Sequence, residues 1–184
     1  MSDEILGQRR KALEDSFFAL RDRELMEKLK EEIKKEELAG TCGINDPEVL
    51  DALRKADISS ETIAALSLIP VIAVAWADGT LSPQERDAIF SATATAGIKA
   101  DSVCRQLLDS WLSEAPGPEL VDAWKGYIRS LAETTSSAAM ETLRDNVLSH
   151  AHKIATAAGG ILGVGSISHK EQAVIDDLGS AFPS

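Results

Sequence analysis

Apolar residues recur along this chain at three- and four-residue intervals and never alternate over a strand's length, so every predicted element is helical. Residues 3–38 read as one long charged helix, with Leu6, Leu13 and Leu20 seven apart and Phe17 beside them. Leu25, Leu29 and Ile33 continue a stripe of shifted phase, and Gly40 and Gly43 end it, with Cys42 between them. Asp46 is the predicted cap of a second helix, with Pro47 at its first position, running to about Ala56. Ser59 or Ser60 starts the most apolar segment, which carries Ile63, Leu66, Ile69, Ile72, Val74 and Trp76. It is predicted as the central helix, kinked at Pro70, whose ring removes one hydrogen bond. Pro83 opens a helix ending near Gly97, and Asp101 is expected to cap another that carries Leu107, Leu108, Trp111 and Leu112. After the Pro116-Gly117-Pro118 break, helices are expected over about 119–133, 137–158 and 169–181, with a glycine-rich run at 159–165.

The strongest local signal is Trp76-Ala77-Asp78-Gly79-Thr80-Leu81-Ser82-Pro83-Gln84-Glu85. Ser82 suits an N-cap, Pro83 the first helical position, and Glu85 can reach back to the Ser82 amide, which together make a capping box. The same residues match the later half of a calcium-binding EF-hand loop, with Asp78, Ser82 and Glu85 as candidate metal ligands. The positions of the two earlier anionic ligands hold Val74 and Trp76, so the loop supplies about half of the six to eight oxygens that calcium takes. The alternative is purely structural: glycine turns the chain, Asp78 closes one helix and Glu85 completes the next cap. That structural reading is favoured, with a divalent cation such as calcium as the only cofactor to consider.

This motif has an echo. Setting Ser82 on Ser168 places Gly79 on Gly165, Leu81 on Ile167, Glu85 on Glu171 and Ile89 on Ile175. Two copies of helix, Gly-x-[Leu/Ile]-Ser-x-x-Glu, helix predict two hairpins related by a pseudo-two-fold. Val164 stands where the first copy has Asp78, so the second turn lacks that acid. With its apolar helix, Ala77-Asp78-Gly79-x-Leu81-Ser82-x-x-Glu85 and following helix, the chain resembles the TerB-like superfamily named for tellurite resistance, over roughly residues 46–181. The resemblance implies an all-helical fold and a setting in stress response, with a metal-related role suggested for an acidic surface; it implies no settled activity.

Net charge is −11 and aromatic residues make up 4% of 184 residues. Residues 1–40 hold nine Lys/Arg against eleven Asp/Glu, and residues 41–184 ten against nineteen, so the acidity lies in the second part. That balance argues against nucleic acid or an anionic membrane as partner. No run of about 18 apolar residues suggests a membrane span. Cys42 and Cys104 form no disulfide framework, and the charged start Met-Ser-Asp-Glu lacks a signal-peptide core, so a reducing, cytoplasmic setting is expected.

Other residues carry less. Gly159 to Ser166 follows a helix rather than a strand and lacks a P-loop lysine, so it reads as a packed loop. His150 and His152, two apart on a helix, point to different faces and read, with His169, as solvated. Cys104 reads as a small core residue, and Trp111, Trp124 and Tyr127 as side chains locking two helices or, alternatively, lining a pocket. The adjacent Phe17 and Phe18 cannot both centre one narrow stripe, so the first helix reads either as an interaction arm for a protein partner or second copy or as a helix packed on its own chain. The expectation is thus an all-α protein of about seven helices in two pseudo-repeated hairpins, with an arm over 1–40 and a TerB-like domain over 46–184. Its expected function is a non-enzymatic stress-response or interaction module with weak cation binding. The alternative is an enzyme or small-ligand binder using a pocket between the hairpins near Trp76, Trp111 and Trp124, with no catalytic residue assignable.

Overall fold

The computed structural model describes the backbone of residues 2–95, 97–158 and 167–183, and the side chains of 21, 23–94, 97–157 and 167–183. Among the described residues the chain is all-helical, without a strand. The helices are α1 (Ser2–Cys42), α2 (Pro47–Lys55), α3 (Ile69–Ala75), α4 (Pro83–Thr95), α5 (Val103–Ser113), α6 (Pro118–Thr134), α7 (Ser137–Ala158) and α8 (His169–Gly179), with a 3-10 segment over Ile63–Leu68.

The chain divides into two units, residues 1–37 and 38–184. The first is helical and highly charged. Its Leu25, Met26, Leu29 and Ile33 are 46–59% exposed. The Leu13, Phe17 and Leu20 stripe, with Phe18, lies outside the described side chains. The last turn of α1 belongs to the second unit, where Leu38 and Cys42 are buried. The helix passes through Gly40 and stops at Gly43, whose φ of +71° leaves the helical region.

The second unit holds one apolar core. α3 is buried on nearly every side, through Ile69, Val71, Ile72, Val74 and Ala75. α7 lies against α3, and both α4 and α8 pack on α3 and α7 alike. Exchanging α3 with α7 and α4 with α8 therefore leaves the packing pattern unchanged, as the pseudo-two-fold requires. Matched residues share burial: Ile89 and Ile175 are both in the core. α2 packs on α6, and α5 on the 3-10 segment.

Two boundaries differ from expectation for local reasons. The central apolar segment is not one kinked helix. A 3-10 segment precedes α3, and Pro70 falls in the first turn of α3, where its missing N–H has no intrahelical partner to lose. Thr62, not a serine, organises the turn before it, accepting from the Ser59 amide at 2.8 Å and donating to the Asp57 carbonyl at 3.2 Å. At α5 the cap is Ser102 and not Asp101. Ser102 has the extended backbone a cap needs (ψ 156°), and its Oγ accepts from the Arg105 amide.

Candidate functional site

Both capping boxes form. At the start of α4, the Ser82 amide donates to Glu85 Oε2 at 2.8 Å and the Glu85 amide donates to Ser82 Oγ at 3.2 Å. At α8, Ser168 and Glu171 repeat the pair at 2.7 and 3.2 Å. Both glutamates are buried, so these carboxylates spend an acceptor oxygen on a backbone donor inside the fold. Asp78 Oδ1 accepts from the Thr80 amide at 2.8 Å and the Thr80 hydroxyl at 3.0 Å, closing an Asx turn around Gly79, whose φ is +91°. Asp78, Ser82 and Glu85 thus each have a partner within their own turn. Among the described residues, no three His, Cys, Asp or Glu side chains gather as a metal ligand set. Val164 and the run 159–166 lie outside the described residues.

The tryptophans do not form one site. The Trp76 indole N–H donates to the Trp111 carbonyl at 2.9 Å, and Arg86 Nη2 donates to the Leu112 carbonyl at 2.6 Å. These bonds tie the α3–α4 turn to orphan carbonyls in the last turn of α5, a favourable place for a cation. Trp124 stands apart. It meets Phe182 edge to face, with centroids 6.0 Å apart. Its ring also helps to floor a groove of about 880 Å³.

That groove lies wholly within the second unit. The 3-10 segment, α3 and α4 form one wall, and α6 and α7 the other. Apolar groups dominate, among them Leu68, Val71, Ala92, Trp124, Ile128 and Leu131. On α7 the lining residues are Leu143, Asn146, Val147, His150, Lys153 and Ile154. Their spacing of three and four residues is that of a single helix face. His150 therefore faces the groove, and His152 is absent from its lining. Asn146, His150 and Lys153 are exposed, as the solvated reading of His150 expects; sequence reasoning missed that this face borders a groove, because the facing elements are distant in the chain. The volume falls within the range of ligand-binding clefts, roughly 300–1,000 Å³.

Tyr127 joins the groove to the end of α1. Burial raises its hydroxyl pKa above the usual value, and the neighbouring Cys42 adds to the shift. Burial also pushes the Cys42 thiol up to about 11. It raises Cys104 too, partly offset by a backbone hydrogen bond at Ala65. Both thiols are buried and held in the protonated form, the reverse of what a nucleophilic or metal-binding cysteine needs.

No known protein family, curated protein or solved structure matches the chain. No helix among the described residues is long and apolar enough to cross a membrane.

Proposed function

We propose that residues 38–184 form a binding module whose task is to take an apolar ligand into the groove between the 3-10/α3/α4 wall and the α6/α7 wall. The observation that carries this reading is the groove itself. A concavity of about 880 Å³ is lined mainly by apolar side chains, with its two basic groups, His150 and Lys153, on one helix. What such a site supplies is shape, apolar area and an orienting edge, which suits binding more than bond-making. The TerB-like resemblance of the sequence is the ground for placing the module in a stress-response setting.

The test is titration of the full-length protein with Nile red, a neutral apolar dye. Saturable binding is expected, weakened at least tenfold by Val147→Asp or Leu143→Asp, since either places a charge on the half-buried wall of the groove. Far-UV circular dichroism and the thermal midpoint check that each variant still folds. Absence of binding, or binding indifferent to both variants, refutes the reading.

A second reading concerns the first unit. The exposure of Leu25, Met26, Leu29 and Ile33 supports a role for α1 in contacting a protein partner or a second copy. Sedimentation of the full chain and of a chain lacking residues 2–37 tests it. Equal monomeric behaviour in both removes the second copy.

A further inference from the structure

Building on the binding reading above, we infer that the ligand of the groove is an anionic amphiphile, a long-chain carboxylate whose headgroup is met by Lys153 with His150 beside it. The charge pattern carries this. The protein has thirty acids and a net charge of −11, yet no Asp or Glu is among the groove's lining residues, while a lysine and a histidine are. The other polar members, Ser67, Ser91, Tyr127 and Asn146, are uncharged. Lys153 is exposed and enters no ion pair among the described residues. Its neighbours one helical turn away, Ser149, His150, Thr156 and Ala157, offer no carboxylate. Lys125 on α6 shows the contrast: Asp177 holds it at 2.9 Å and Asp122 at 3.9 Å. Among the described residues no carboxylate holds the groove's lysine.

Position along α7 sets the orientation. Leu143 and Ile154 are eleven residues apart, about 16 Å at 1.5 Å per residue. His150 and Lys153 lie toward the C-terminal end of that span, and Leu143 and Val147 toward the other. A chain laid along the groove with its carboxylate at Lys153 has its methylenes against Val147, Leu143 and Leu131. Each methylene that leaves water for such a wall contributes about 0.8 kcal/mol. The negative end of the α7 dipole does not oppose the headgroup much, because that effect is confined to the last turn and Lys153 lies five residues before Ala158.

The test compares palmitate with 1-hexadecanol, which has the same chain without the charge, and with a hexadecyl ammonium cation. Each displaces Nile red from the full-length protein, from Lys153→Gln and from Lys153→Glu. Palmitate is expected to bind tighter than the alcohol and the cation weakest. Lys153→Gln should weaken palmitate a few-fold and Lys153→Glu about tenfold, with the alcohol unchanged, as suits an exposed ion pair. Added salt should weaken palmitate alone. If the alcohol and palmitate bind equally and Lys153→Glu leaves palmitate untouched, the anionic inference fails while the binding reading stands. If Nile red itself does not bind, both fail. If palmitate fails and the protein is a dimer that Val147→Asp dissociates, the groove is an interface between copies and the inference is overturned.

Discussion

Gly126 provides a sharp test of the packing, because its replacement by alanine should stabilise the protein. It lies inside α6, where that helix packs on α2, and helix-interior glycine costs about 1 kcal/mol relative to alanine. The gain is realised only if a methyl group fits. A Cβ at this position meets Val49 Cγ2 at 3.5 Å and Cγ1 at 3.9 Å, both ordinary van der Waals distances. The methyl therefore fills contact space without displacing Val49. Gly126→Ala should add about 1 kcal/mol, which for a chain of this size raises the thermal midpoint by roughly 2–4 °C. Gly79→Ala is the opposing control. Nothing lies within 4 Å of a Cβ there, but φ is +91°, a conformation that costs an L side chain about 1–2 kcal/mol. Space favours Gly79→Ala and backbone geometry forbids it, while both favour Gly126→Ala. Calorimetric melting of the two variants decides. A lowered midpoint for Gly126→Ala would mean that α2 and α6 approach more closely than 3.5 Å allows. A neutral Gly79→Ala would mean that the turn does not need its left-handed residue.

Ser82→Ala and Ser168→Ala should each cost about 1 kcal/mol in urea unfolding, since each removes an N-cap acceptor and loosens a buried glutamate; an unchanged midpoint for either would remove that cap from the account. The Cys42 thiol predicts alkaline loss of stability. Its folded pKa of about 11 lies above its ordinary value of 9.0, so the stability it contributes is whole below about pH 9 and is lost as pH rises toward 11. Urea midpoints of wild type and Cys42→Ala should therefore converge over that window, and parallel curves would show that burial does not hold the proton. Calcium titration by calorimetry should give at most millimolar affinity at Asp78, Ser82 and Glu85, because two of the three already serve the α4 cap; tight binding abolished by Asp78→Asn would refute this.

What was legible in the sequence follows the range of the interactions concerned. Caps are read over three or four residues, so Asp46, Ser82 and Ser168 could be assigned from identity and spacing, and the echo between Ser82 and Ser168 predicted two matched helix starts. Pro70 was misplaced because a proline reads alike as a kink or as a first-turn residue until the start of the helix is known. That start depends on the 3-10 bonds of the preceding segment, which apolar residues alone do not reveal. Asp101 and Ser102 differ as caps only through backbone angles, since both carry a suitable oxygen.

The groove depends on longer range still. Its walls come from five elements spread from Ile63 to Ile154, and no window of the sequence contains more than one or two of them. Its only local trace is the α7 face of Leu143, Asn146, Val147, His150, Lys153 and Ile154. A helix whose apolar stripe is broken by amide, imidazole and ammonium groups looks like one half in water. That appearance has a physical cause. Ile154 is buried and Leu143 and Val147 pack against the core, while Asn146, His150 and Lys153 are exposed, so the face straddles the edge of the core. The proposed ligand would match that edge, with chain against Leu143 and Val147 and charge against Lys153. The Lys153→Glu and 1-hexadecanol comparisons therefore probe whether that exposed edge meets a headgroup or only water.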